Sequence, residues 1–144
     1  MKFWSKFWKL VSKKHLVFGT LLFVVVIVMS MFEAKGKVKV NFDETAVDIV
    51  SPKYHMNIPY DIVDHIELME LPDKGEVIKG SDDMSVRTGN WKNEAWGEHY
   101  ICVNLSSTNC IAVYLEDGRV FVFSRYSNSE NARDFETFQN YLNP

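Results

Sequence analysis

The chain has little of what marks an enzyme or a metalloprotein. Its 144 residues include only two cysteines, Cys102 and Cys110, with no Cys-x-x-Cys pair, which excludes a zinc ribbon and a thioredoxin-type redox motif. There is no Gly-x-Ser-x-Gly elbow, phosphate loop or His-Glu-x-x-His helix, and no internal repeat or low-complexity stretch. His55, His65 and His99 are scattered without metal-ligand spacing, and the loose group Asp61, Asp64 and His65 reads as solvated surface. No residue therefore receives a catalytic, metal or cofactor role, and the sequence reads as a non-enzyme. Positive charge is also short beyond the N-terminus. Residues 1–35 hold six lysines against Glu33, a local sum of +5, so the bulk charge of -3 leaves -8 on residues 36–144. Phosphate backbones repel such a domain, which excludes nucleic acid as a partner.

What is present begins with an uncharged run. Residues 16–32 are broken only by Gly19, Thr20 and Ser30, and as a helix they cover about 26 Å of hydrocarbon. Lys2, Lys6, Lys9, Lys13 and Lys14 precede the run, while Glu33, Lys35, Lys37 and Lys39 follow in a mixed stretch. The positive-inside rule then places the N-terminus in the cytoplasm and the remainder outside it. A cleaved signal peptide is the competing reading, but cleavage after Ala34 would put bulky Phe32 where a small residue is preferred. The expected order is a basic amphipathic segment over 1–15, a transmembrane helix over 16–34 and one domain over 37–143.

In the first segment Phe3, Phe7 and Val11 recur at helical spacing, with Trp4 and Trp8 beside them and lysines on much of the opposite side. Tryptophan suits headgroup depth, and each lysine near an anionic leaflet contributes about 1 kcal/mol. Trp4, Trp8, Lys13, Lys14, Leu16, Phe23 and Phe32 are the expected anchoring residues, with the membrane and its anionic headgroups as partners.

Beyond Gly36 the period becomes two. Val38, Val40 and Phe42 alternate with polar residues, 46–50 and 55–58 give two further short strands, and Ile62, Ile66, Leu68 and Leu71 continue an extended series. Residues 72–89 are polar and read as long connections around weak strands. Residues 100–105, 110–115 and 120–123 are strongly β-forming, with Asp117-Gly118 predicting a type I′ hairpin covered on both faces. Ser127 and Glu130 have capping-box spacing, and Ala132, Phe135, Phe138 and Leu142 then predict a C-terminal amphipathic helix.

Three stretches carry a family resemblance: Ile58-Pro59-Tyr60-Asp61-Ile62 leading into Ile66-Glu67-Leu68; 87–97, with Gly89, Trp91 and Trp96-Gly97, followed by Tyr100; and 111–123 around Asp117-Gly118. Over about residues 38–142 the chain resembles the bacterial pleckstrin-homology-like domain family. The resemblance implies a mainly β fold, a bent antiparallel barrel of about seven strands closed by one C-terminal helix. It also implies a binding or scaffolding role. Where lipid-reading members carry a basic early loop, residues 41–45 carry Asp43 and Glu44, which argues against phosphoinositide binding.

The functional expectation is a single-pass, membrane-anchored binding module that presents an acidic extracytoplasmic domain to a protein, peptide or envelope partner. The alternative is a structural subunit assembled through its transmembrane helix, where Gly19 and Thr20 allow close approach. Trp91 and Trp96 are the candidate partner-binding residues, with packing at one end of the core as the other reading. Cys102 and Cys110 form either one disulfide or two buried thiols, and Asn104-Leu105-Ser106 spells a glycosylation acceptor. The full-length product is expected in the membrane fraction, released by detergent but not by salt. Recovery in the soluble fraction without detergent would overturn the anchor.

Overall fold

The computed structural model describes residues 13–35 and 37–144. Trp4, Trp8 and most of the amphipathic segment lie outside the described residues. The chain divides into two compact units between Ala34 and Lys35.

The first unit contains all but the last residue of α1 (Lys13–Lys35), which extends past the expected span at both ends. Its stretch His15–Glu33 has a mean hydropathy of 2.4, is unburied throughout, and is long and apolar enough to cross a membrane. Leu16, Phe23 and Phe32 are exposed on it, and Lys13 and Lys14 form its first turn. The apolar surface runs all round the helix, without the single stripe that packs on a protein core. Thr20 Oγ1 donates to Leu16 O and Ser30 Oγ to Val26 O, both at 2.9 Å. Both hydroxyls of the apolar run are thus satisfied within the helix, as a hydrocarbon environment requires.

The second unit runs β1 (Lys39–Phe42), β2 (Ala46–Ser51), β3 (Tyr54–Pro59), a 3-10 turn at Tyr60–Ile62, β4 (Val63–Glu70), β5 (Glu76–Asp82), β6 (Val86–Asn93), β7 (Gly97–Asn104), β8 (Asn109–Leu115), β9 (Val120–Ser124) and α2 (Asn128–Leu142). It is mainly β, with a C-terminal helix. The expected barrel of about seven strands is corrected to nine strands in two sheets, neither of them closed. The first sheet is β1-β2-β3 and the second is β4-β8-β9-β7-β6-β5. Because β9 pairs in parallel with β7 and antiparallel with β8, residues 104–109 join strands that are not neighbours, so they do not end a hairpin.

The order of the second sheet dictates its shape. Residues 71–75 must join its opposite edges. A flat sheet would separate the joined ends by about 30 Å, counting five strand spacings and a register offset of six positions. The link from Glu70 to Glu76 reaches about 22 Å when fully stretched. The sheet therefore rolls. Its concave face buries Trp91, Ile101, Val103, Cys110, Ala112 and Val122, with Met69 and Leu71 packed against them from the incoming link. The convex face buries Cys102, Ile111, Val113, Leu115 and Phe123 against Val47, Ile49 and Ile58 of the small sheet and Phe138 of α2. The alternation of residues 111–115 thus serves two cores, as its two apolar faces require.

Local chemistry fixes the turns. Asp43 Oδ1 accepts from the N–H groups of Thr45 and Ala46, and Asp83 Oδ1 does the same for Ser85 and Val86, so one Asx device closes both β1–β2 and β5–β6. The β8–β9 turn departs from type I′. Gly118 has φ 87, Asp117 has no positive φ, and Gly118 N donates to Leu115 O while Leu115 N donates to Arg119 O. This is a three-residue loop ending in a left-handed glycine, the G1-bulge form. At the start of α2 the predicted capping box between Ser127 and Glu130 is present.

Helix α2 is tied down by amides. Asn128 Oδ1 accepts from the N–H groups of Thr108 and Asn109. Asn131, fully buried, accepts from Arg125 N at 2.7 Å and donates to Asn109 O and Oδ1 at 3.1 and 2.8 Å. Replacing Asn131 with Ala strands buried backbone groups, and chemical unfolding should show a loss of about 3 kcal/mol. Exposed Asn140→Ala, on the same helix, should change stability by less than about 0.5 kcal/mol.

Candidate functional site

The two tryptophans singled out by the sequence part company. Trp91 lies on β6 in the concave core, 3% exposed, with Nε1 donating to Thr88 O at 3.0 Å and the Arg87 guanidinium 5.3 Å from its ring. The ring is enclosed in this core, the setting expected of the packing reading rather than of a docking surface. Trp96, in the β6–β7 turn, is half-buried. Its Nε1 donates to Tyr114 Oη at 3.1 Å, reaching β8 across two intervening strands, which the roll alone makes possible. Tyr114 in turn donates to Glu67 and is stacked on His65 at 4.3 Å. Desolvation raises the Tyr114 pKa, which keeps its proton in place.

The two cysteines hold structural positions. Cys102 and Cys110 are buried free thiols on opposite faces of the rolled sheet, one in the convex core and the other in the concave one, so they cannot reach each other. Burial raises their pKa values to about 11 and about 12, far from thiolate reactivity. Asn104 is fully buried, which removes it as a glycosylation acceptor. His55 bonds Asp48 at 2.9 Å and His65 bonds Asp64 at 2.6 Å. Among the described residues no three His, Cys, Asp or Glu groups converge on a metal position. The early turn that the family resemblance points to forms an acidic hollow with Asp43, Glu44 and Asp61 beside the stacked Tyr60 and Tyr141. Its charge disfavours an anionic headgroup there.

A different cleft gathers positive charge. Its floor is Thr88 and Asn90 of β6 with Tyr100 of β7, one wall is Lys79 and Ser81 of β5, and the other is the β2–β3 turn with Lys53 and Tyr54. The volume is about 410 Å³, and a smaller recess of about 170 Å³ continues it past Pro52 to Lys37. Strand pairing explains the lining: Lys79 is opposite Asn90 and Ser81 opposite Thr88, so all four side chains share the face turned toward the small sheet. Gly80 and Gly89 face each other on the other side, where a Cβ on Gly80 would come within 2.1 Å of Thr88 O. Only glycine permits that approach, which sets the β5 wall against the floor.

Three lysines, Lys37, Lys53 and Lys79, and one carboxylate, Asp83 near Lys37, line this connected space in a unit whose overall charge is negative. Lys37 Nζ donates to Ser85 Oγ, which fixes one of them at the recess. Asn90 Nδ2 donates to Glu98 Oε1 at 2.8 Å, which orients the amide, and its Oδ1 is out of solvent with no hydrogen-bond partner among the described residues. The cleft thus offers cationic donors for an anion, while the Asn90 carbonyl is enclosed out of reach of its solvent-filled space.

Sequence reasoning missed this site because two of its three walls come from the stretch read as connections. The available signal was Gly80 and Gly89 flanking polar, alternating residues. Compared with family models, curated proteins and solved structures, the chain matches none.

His99, beside Trp96 with ring centroids 5.0 Å apart, supplies a pH test of this end of the sheet. It is 1% exposed and donates from Nδ1 to Gly97 O; burial disfavours the imidazolium and holds its pKa below the ordinary 6.5, outweighing that hydrogen bond. The unfolded chain therefore takes up this proton at higher pH than the folded one. Its contribution is complete above about pH 6.5 and is lost as pH falls below that. Unfolding midpoints should decline as pH falls below about 6.5, and His99→Gln should flatten that decline.

Proposed function

We propose that this chain is a membrane-tethered binding module that takes an acidic peptide segment of a protein partner in the cleft between the β2–β3 turn and β5–β6. The observation that carries the reading is the lining of the cleft and its recess by Lys37, Lys53 and Lys79, against the single carboxylate of Asp83, in an otherwise acidic unit. An acidic peptide carries several carboxylates along an extended chain, which suits lysines spread along the cleft and its recess. Helix α1, with its uniformly apolar surface and internally bonded hydroxyls, supports insertion in the bilayer. The excess of lysine before it supports a cytoplasmic N-terminus and an extracytoplasmic domain.

The pleckstrin-homology-like resemblance supports a non-catalytic binding role, and it enters this reading at the level of use rather than of ligand. The acidic Asp43–Glu44 turn argues that recognition is not of phosphoinositide type, and the lysine cleft lies elsewhere in the fold. Tethering raises the local concentration of the module at the membrane, so a modest intrinsic affinity suffices.

The test uses the full-length chain in detergent micelles, titrated with a fluorescent glutamate-rich peptide and with the same peptide amidated to neutrality. The acidic peptide should bind and weaken with salt, Lys53→Glu should reduce affinity at least about tenfold, and the neutral peptide should not bind. Equal binding by wild type and Lys53→Glu, or turnover of the peptide, would defeat the proposal.

A further inference from the structure

Strand β5 is an open edge with an unusual sequence. It ends the second sheet, paired with β6 on one side and with no strand of either sheet on the other. Every residue from Glu76 to Asp82 except Ser81 is exposed, including Val77 at 53% and Ile78 at 51%. Open edges with central apolar residues invite pairing with another chain.

The sequence around that centre reads the same reversed once its charges are exchanged and its two branched apolar residues interchanged: Gly75-Glu76-Val77-Ile78-Lys79-Gly80. Laid antiparallel on a second copy, with a twofold axis between Val77 and Ile78, Glu76 meets Lys79 of the other copy twice. Val77 meets Ile78, and Gly75 meets Gly80. An unbroken strand would not allow this register, because residues three apart project to opposite faces. The bulge supplies the missing step. Pairing with β6 shifts between Val77 and Lys79, so Glu76 lies opposite Lys92 and Lys79 opposite Asn90, two positions apart on one face. Glu76 and Lys79 therefore share a face, and both cross-copy pairs can form on it. The alternative dyad at Lys79 would set Glu76 against Asp82 and is disfavoured by charge.

We infer that two copies of the chain pair edge to edge through β5, joining their rolled sheets across a twofold axis at the Val77–Ile78 bulge. The contact is small beside the roughly 1,600 Å² of a stable soluble interface, so it depends on both copies sharing one membrane. The inference is argued independently of the peptide cleft but shares Lys79 with it, so Glu76, which does not line the cleft, is the position whose substitution reports on pairing alone.

The experiment reconstitutes equal amounts of ¹⁴N- and ¹⁵N-labelled full-length chain in phosphatidylcholine vesicles and applies a zero-length carbodiimide. A mixed-isotope isopeptide between Glu76 and Lys79 should be recovered by mass spectrometry. Energy transfer between fluorophores on the two copies, a readout that needs neither side chain, should fall at least about tenfold for Glu76→Lys alone and for Lys79→Glu alone. Co-reconstitution of these two variants recreates opposite charges at both positions and should restore it. The exposed positions of both residues keep the variants folded, which circular dichroism verifies. A monomer throughout, a dimer without the mixed-isotope link, or a dimer indifferent to charge reversal would overturn the inference; indifference would place the contact in α1 instead.

Discussion

The fold depends on a link that is too short for a flat sheet. Residues 71–75 must carry the chain from one edge of six strands to the other, and only a rolled sheet brings those edges within reach. Rolling gives the sheet an inside that needs no second layer, where Trp91 and its neighbours are buried by the sheet itself. The outside then requires a cover, which the β1-β2-β3 sheet and α2 provide. Because a small sheet lies over a strongly curved one, the two diverge toward β5, and the lysine-lined cleft opens where they part.

The same curvature explains why strands of ordinary composition end up in unequal settings. Ile111, Val113 and Leu115 face the layered core while Cys110 and Ala112 face the enclosed one, so β8 is buried on both sides although its neighbours β4 and β9 are antiparallel to it. Two-sided burial is usually the mark of a central parallel strand. Here the curvature produces it. Small Ala112 suits the tight concave face, and the bulkier branched residues suit the convex one.

Much of this was legible in advance, for reasons that can be named. The apolar run of α1, the capping box at Ser127 and Glu130, and the alternation in β1 to β4 and β7 to β9 depend on local chemistry, and each occurs near its expected place. The strand order was not legible, because the choice of β9 over β8 as the neighbour of β7 is made by long-range packing. The type of the β8–β9 turn was missed for a subtler reason: Asp117-Gly118 supports two loop lengths, and Glu116 joins the loop when Gly118 alone takes the left-handed conformation. Strand β5 was hidden because an exposed edge strand shows no apolar alternation, and the cleft went with it. Trp91 and Trp96 were legible as important but not as different, since only the roll encloses one and leaves the other at a rim.

Strand β5 then joins the two proposed activities physically. One of its faces, through Lys79 and Ser81, makes a wall of the cleft, while its free edge carries the self-complementary sequence. The bulge at Ile78 is what sets Glu76 and Lys79 on the same face, so the distortion that bends the wall also determines how a second copy could register against it. Lys79 cannot bind a carboxylate in the cleft and Glu76 of a second copy with full strength at once. Occupation of the cleft and pairing of copies therefore oppose one another through a single ammonium group, and any coupling between them is reciprocal: what loosens the pair tightens the cleft by the same free energy.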